Sequence, residues 1–470
     1  MKDTVYLERD IYQDILKWKQ IEYQASLFVT GPRQVGKTYL LQKLGKEEFS
    51  HCTYVDLSNP EDLARLDLLI EKYHTNNNGS HGFPWPSLFK DFDVKYENSP
   101  DVLVIIDEIQ ESARWYNHIR PITRELNSRL AVSGSYLGIA RRALKYWEPA
   151  GDLAEVKVAS LSYVEFLKAN GVYESYSKIA GFNLADMTEE EQAIFERVRG
   201  LYKIYCTIGG YPRVVERWLQ VQGTDHDRIE SCLPLIDQIL ESFHRECRRY
   251  FPEMMSGFIW SRALQEVIKS IIVRNLDLGT KKGALASSLV EIELQPTGTY
   301  TMLRKDKIAV LRWLSDCHLV KEAGVYDNAP FKELSNSKFQ FFLSDLGILS
   351  RLSSQLREIG PNDIEGLTAE NFVYLYLCGQ LEKVFLGKEV CTYIDANSQG
   401  EIDFLMWTKN RDIIGIEVKK SHGKTKSGDN ALCKKHIDKL IKLQDTFGGV
   451  DGNKVVIPIF AVDKIPLVLN

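Results

Sequence analysis

Eight consecutive residues, Gly31-Pro32-Arg33-Gln34-Val35-Gly36-Lys37-Thr38, fit the pattern G-x-x-x-x-G-K-[ST] at every fixed position. Each fixed residue has a separate task on a triphosphate. The glycines let the backbone curl, so that successive N–H groups face phosphate oxygens. Lys37 reaches the β- and γ-phosphates, and the Thr38 hydroxyl is a ligand for Mg²⁺. A helix that opens here, with Tyr39 in its first turn, turns its positive end toward the anion. The expected ligands are ATP and Mg²⁺. Ala25 to Thr30 reads ASLFVT, an apolar run suited to a buried strand, and YLLQKL at 39–44 has helical spacing. That context argues against a chance glycine loop.

Mg²⁺ also needs a carboxylate at the end of a neighbouring buried strand. Val102 to Ile106 is apolar on both faces, as a central parallel strand should be, and runs into Asp107-Glu108. Asp107 is expected to hold the metal, and Glu108 to orient and deprotonate the attacking water. A strand at 130–133 ends in Ser133-Gly134-Ser135. Ser133 and Ser135 are candidates for contact with the γ-phosphate or the water, against the alternative of a simple turn.

A second charged group lies near the C-terminal end. Asp403 sits in the alternating run Glu401 to Met406, and Glu417-Val418-Lys419 ends the next apolar run. Glu417 and Lys419 leave the same face of a strand, and Asp403 can lie opposite them across a hairpin. Glu370, from a preceding helix, would complete a cluster. Such charges are costly to bury unless they bind metal or pair with one another. The spacing Asp-x₁₃-Glu-x-Lys resembles the PD-(D/E)XK nuclease core, in which Glu370, Asp403 and Glu417 would hold Mg²⁺ and Lys419 would help activate water. The alternative is a charged hairpin whose Glu and Lys are cross-paired, and the residues alone leave both open. Lys419, Lys420, Lys424, Lys426, Lys434 and Lys435 make the neighbourhood basic, which suits a solvated surface or a phosphate backbone.

These groups need elements to position them. At 470 residues the chain has length for about three domains. A 44% hydrophobic and 26% charged composition is that of an ordinary globular protein. The net charge of −5 gives no global attraction to nucleic acid, so any such binding must use a local patch. Eight scattered cysteines without a C-x-x-C pair argue against a zinc ribbon or a disulfide framework, and point to free thiols in a reducing cytoplasm. No signal-peptide core opens the chain, and no apolar run approaches the roughly 18 residues of a membrane span.

Strand and helix alternate from 25 to 135, which predicts an α/β fold with a parallel sheet covered by helices on both faces. A helix is expected within 1–20, a strand at 52–57, and a helix from Pro60. The Asn-, Gly-, Ser- and Pro-rich stretch 74–100 reads as a long surface loop or insertion. Another helix is expected at about 111–127. The expected domains are an ATPase core at 1–160, a helical lid at 161–259, a winged-helix-like segment at 260–330 and an α/β C-terminal domain at 331–470. His318 to Ala323 is expected to start the wing, and Thr368 to cap a buried helix.

With these residues assembled, the chain resembles a family of prokaryotic AAA-type ATPases. Its members join a phosphate-loop domain to a winged-helix-like segment and a C-terminal domain of restriction-endonuclease-like fold. The resemblance rests on GPRQVGKT at 31–38, DEIQ at 107–110, SGS at 133–135 and GGYP at 209–212. It extends to AENFV at 369–373, EIDF at 401–404 and IEVKKS at 416–421. It implies that Gly210-Tyr211-Pro212 is a lid turn contacting the nucleotide, with Pro212 among the binding residues. Family members commonly carry Gly-Arg where this chain has Gly151-Asp152. Arg141 and Arg142 are the substitutes available for an arginine finger.

The leading expectation is a Mg²⁺-dependent ATPase coupled to a nuclease-like domain that acts on or binds DNA. The alternative is a nucleotide-dependent switch whose C-terminal domain binds a regulatory protein or nucleic acid without cleavage. A small-molecule kinase is a third reading, disfavoured by Glu108 and the lack of an acceptor site. A homo-oligomer is compatible with either leading reading, and no membrane association is expected.

Overall fold

The computed structural model describes residues 6–21, 25–76, 83–135, 152–250, 271, 293–294, 300–301, 310–311, 313–335, 339–356, 360–394, 400–419, 426–446 and 448–469. They fall into two compact units. One comprises 9–159 with 316–318. The other comprises 1–8, 160–315 and 319–470.

The first unit is built on a parallel five-stranded sheet. Helix α1 (Tyr12–Lys19) precedes strand β1 (Ser26–Thr30), helix α2 (Lys37–Glu48), β2 (His51–Asp56), α3 (Pro60–Asn76) and α4 (Trp85–Phe92). Strand β3 (Val102–Asp107), α5 (Ala113–Glu125), β4 (Arg129–Gly134) and β5 (Leu153–Lys157) follow. The strand order is β2-β3-β4-β1-β5, with every pairing parallel. All residues of β1 and β3 are buried, so continuous apolar runs rather than alternation mark the central strands. The loops after β1, β3 and β4 leave the carboxyl ends of adjacent strands, where open α/β sheets place their ligands.

The stretch 74–100 departs from the expected surface loop. Helix α3 runs on to Asn76, residues 77–82 lie outside the described set, and α4 buries Trp85, Leu88, Phe89 and Phe92. Trp85 packs against Phe83 at 4.3 Å between centroids with the rings tilted by 46°, and meets Trp115 edge-on. The polar residues at 75–80 mask a short amphipathic helix that belongs to the core.

The second unit begins with helices α6 (Tyr163–Ala169), α7 (Tyr173–Ser177), α8 (Glu189–Ile208), α9 (Pro212–Gln220) and α10 (Asp225–Tyr250). Capping boxes at Ser162/Glu165 and Thr188/Glu191 start α6 and α8 by satisfying their free N–H groups. Pro212 opens α9, where its missing N–H costs nothing. A two-stranded ribbon, β6 (Glu293–Leu294) with β7 (Tyr300–Thr301), follows. Most of the expected winged-helix-like segment lies outside the described residues.

An eight-stranded sheet closes the chain. It contains β8 (Val320–Tyr326), β9 (Phe339–Leu343), β10 (Phe385–Ile394), β11 (Glu401–Thr408), β12 (Ile413–Lys419), β13 (Lys439–Gln444), β14 (Gly449–Asp451) and β15 (Lys454–Pro458). Their order is β14-β15-β13-β12-β11-β10-β8-β9. Helices α11 (Leu346–Ser353), α12 (Pro361–Gln380) and α13 (Lys426–Cys433) complete it. Two expectations are corrected here. His318 to Ala323 does not start a wing: β8 pairs antiparallel with β9 and parallel with β10, inside the C-terminal sheet. Thr368 does not cap a helix: α12 starts at Pro361, and the Thr368 hydroxyl donates to the Ile364 carbonyl within it.

Asp345 ties the GGYP turn to this sheet. Its carboxylate accepts from the N–H groups of Gly210, Gly347 and Ile348 at 2.9, 2.9 and 3.2 Å. A Cβ on Gly347 would meet the Ile208 carbonyl at 2.3 Å, so that backbone contact requires glycine.

Trp85→Ala is expected to cost about 3–5 kcal/mol of unfolding free energy through the cavity it leaves. Urea denaturation measures this, and a negligible loss would place 83–92 outside the core.

Candidate nucleotide-binding site

The phosphate-loop residues fold as their types demand. Gly31 has φ 142°, and a Cβ there would lie 2.0 Å from the Val158 carbonyl. Gly36 caps α2 with φ 94°. Gln34 also takes a left-handed conformation at φ 62°, so the loop holds three such residues in six. Val35 is buried, Pro32 is buried, Arg33 is half-buried and Tyr39 is 50% exposed. Arg9, which the sequence reading missed, fixes the loop from outside. Its guanidinium donates to the carbonyls of Val35 at 2.8 Å and Ala159 at 2.6 Å.

Lys37 is 5% exposed, and its ammonium donates to the carbonyls of Gly31 and Pro32 and to Ser135 Oγ at 3.1, 2.7 and 2.8 Å. Burial pushes its pKa down from 10.5 to about 8, against the opposing pull of Glu108 and Asp107. It still carries its proton at neutral pH.

Asp107 gathers the other half of the site. Its Oδ2 accepts from Thr38 Oγ1 at 2.7 Å and from the Tyr54 hydroxyl at 2.8 Å. Its Oδ1 accepts from the Glu108 N–H at 3.0 Å and from the Ser133 hydroxyl. The two serine candidates therefore divide: Ser133 serves the carboxylate and Ser135 serves the lysine. A hydroxyl and a carboxylate oxygen this close form the hard oxygen set that suits Mg²⁺, so the residues present fit that ion.

Glu108 is in the left-handed region at φ 53°, which costs a non-glycine residue roughly 1 kcal/mol. Gln110 Nε2 donates to Glu108 Oε2 at 2.5 Å, and Gln110 Oε1 accepts from the Ser135 N–H at 3.3 Å. A hydrogen-bonded chain thus runs from Lys37 through Ser135 and Gln110 to Glu108. Gln110 was legible as part of DEIQ but carried no assigned role. Tyr54 gave no local signal, because its partner is on the adjacent strand.

Asp152, at the position where an arginine was expected, pairs with Arg120 at 3.1 Å and Arg124 at 3.2 Å. Arg141 and Arg142 lie outside the described residues. Pro212 belongs to the other unit, at the start of α9.

The C-terminal charges are placed as a hairpin. Asp403 on β11 and Glu417 on β12 are one step beyond the registered pair Phe404–Ile416. Asp403 Oδ2 accepts from the Val418 N–H at 2.7 Å and lies 3.8 Å from Lys419 Nζ. Glu417, 1% exposed, accepts from the Gly428 N–H at 2.9 Å and lies 3.8 Å from Lys442 Nζ. Glu370 is half-buried on α12. Among the described residues no three His, Cys, Asp or Glu side chains are grouped to hold a metal ion. Asp403 and Glu417 each have a lysine and a backbone N–H as partners.

No described helix is long and apolar enough to cross a membrane. Residues 23–167 match the family described as "AAA domain", and residues 365–459 match the "Domain of unknown function (DUF4143)". No curated protein matches the chain. Among solved structures, a Walker-type ATPase of Pyrococcus abyssi is 16% identical, with 74% of this chain and 96% of that one covered and a TM-score of 0.44. The Aeropyrum pernix ORC1 protein, in complex with DNA, is 13% identical over 75% and 95% of the two chains at 0.27. The Thermotoga maritima RuvB Holliday junction branch migration motor is 15% identical over 67% and 89% at 0.28. Likenesses of this size do not place the chain with any of them.

The low Lys37 pKa links to stability. Between about pH 8 and 10.5 the folded state binds fewer protons at this site than the unfolded state, so its contribution to stability rises with pH across that window and is lost as pH falls through it. Nucleotide-free protein should gain stability relative to Lys37→Met from pH 8 to 10.5 in urea unfolding. Parallel pH curves for the two would contradict the assignment.

The five-stranded parallel sheet that brings Lys37, Asp107 and Glu108 together thus lies within residues 23–167, which match an AAA domain and carry an α/β fold of P-loop type.

Proposed function

We propose that this chain is a Mg²⁺-dependent ATPase that uses nucleotide state to switch its C-terminal unit. The observation that carries the reading is the Asp107 carboxylate. It lies at the end of β3, an interior strand of the sheet, 2.7 Å from Thr38, with Glu108 next in sequence as the base. Thr38 and Asp107 would hold Mg²⁺, which when bound neutralises charge on the β- and γ-phosphate oxygens. The backbone N–H groups of 31–38 bind the phosphates, and Lys37 leaves its carbonyl partners for them. Glu108 accepts the proton of the water that attacks the γ-phosphorus as the bond to the β–γ bridging oxygen breaks and ADP leaves, while Gln110 holds its carboxylate in place. Ser135 keeps the lysine beside that water.

For the C-terminal unit, the paired charges favour binding without cleavage. Asp403 and Glu417 each face a lysine, which supports a site whose charge is balanced without a metal. The partner class is a regulatory protein or a nucleic acid. A second reading, nuclease action on DNA, is favoured by one observation: α12, β10, β11, β12, α13 and β13 follow in the order α-β-β-β-α-β, with Asp403 and Glu417-x-Lys419 on its second and third strands.

Glu108→Gln is expected to retain ATP binding and to lose turnover by about 10²–10⁴-fold. Phosphate release and nucleotide titration measure the two, and unchanged turnover would remove Glu108 from the base role. Lys419→Ala is expected to leave DNA uncut by variant and wild type alike in ATP with Mg²⁺ or Mn²⁺. Cleavage by wild type that the variant loses would establish the nuclease reading instead.

A further inference from the structure

We propose that Tyr54 is a positioning residue for the metal carboxylate, setting the affinity of the nucleotide site for its divalent cation. The inference rests on the reading of Asp107 as the Mg²⁺ carboxylate and goes beyond it to a residue on another strand.

Asp107 is 2% exposed and shares its Oδ2 between two hydroxyls. The Thr38 hydroxyl would also be the loop's own metal ligand, its lone pair on the cation while its O–H still donates to Asp107. The Tyr54 hydroxyl has the single task of donating to the carboxylate. Tyr54 is half-buried on β2, where its register partner on β3 is Ile105, two residues before the carboxylate. Its donation to Oδ2 at 2.8 Å therefore fixes the carboxylate plane from the strand opposite the phosphate loop. Ser133 and the Glu108 N–H hold the other oxygen, so Oδ2 is held by two hydroxyls, Thr38 from the phosphate loop's helix and Tyr54 from β2.

Two effects oppose each other when the phenol is removed. The carboxylate becomes more basic, which strengthens a metal bond, and it loses its orientation, which weakens one. Outer partners of metal ligands typically matter by about 10–100-fold, in the direction of lost affinity, so orientation wins.

The test uses full-length wild type and Tyr54→Phe, which keeps the ring and removes only the hydroxyl. Free Mn²⁺ is followed by electron paramagnetic resonance in the presence of a non-hydrolysable ATP analogue, and analogue binding is titrated separately in EDTA. The expected result is Mn²⁺ affinity about tenfold weaker in the variant, analogue binding in EDTA equal to wild type, and a turnover deficit that closes as Mg²⁺ is raised. Coincident Mn²⁺ titrations would overturn the inference while leaving the ATPase reading intact. A melting temperature that falls together with EDTA binding would also overturn it, because that is a packing role. Wild type that retains no Mn²⁺ with the analogue would overturn the ATPase reading itself.

Discussion

A buried carboxylate without partners is among the most expensive groups a protein can carry. Asp107 is nearly inaccessible, and four donors from four segments converge on it: Thr38, Tyr54, Ser133 and its own neighbour's N–H. Those donors come from α2, β2, β4 and the turn after β3. The sheet order places β2 and β4 on either side of β3, so three of the four are adjacent by construction. The need to satisfy one charge thus fixes how the phosphate loop and the strand ends meet.

Lys37 is the complementary constraint. Its ammonium is buried beside two carboxylates and caps the loop's own carbonyls, so the loop is held closed by a group whose better partner is a phosphate. Arg9 steadies the same loop from the N-terminal side. The C-terminal hairpin uses similar residue types to a different end. There each carboxylate faces a lysine of the same sheet, Asp403 with Lys419 and Glu417 with Lys442. Charge is balanced internally, whereas around Asp107 the donors are neutral hydroxyls and an amide that leave its negative charge in place.

The site was legible where its residues are contiguous. The loop 31–38 and the pair Asp107-Glu108 declare themselves because local backbone shape and strand termination are encoded over a few positions. What escaped depends on strand order. Tyr54 reaches Asp107 across β2 and β3, and Lys442 reaches Glu417 across β12 and β13, and no local spacing encodes either. Trp85 escaped because the polar residues just before it suggested a loop. Thr368 misled because a helix-starting residue type also occurs mid-helix when its hydroxyl bonds the preceding turn. His318 to Ala323 misled because a short apolar run serves equally as a wing or as a sheet strand, and only its pairing decides.

The central claim is that ATP and Mg²⁺ meet between the loop ending at Thr38 and the strand ending at Asp107. Isothermal titration calorimetry of folded, full-length protein with a non-hydrolysable ATP analogue tests it most directly. The account predicts saturable heat at one site per chain that strengthens when Mg²⁺ is added and disappears in Lys37→Ala. No heat of binding in well-folded wild type, with Mg²⁺ present, would contradict it.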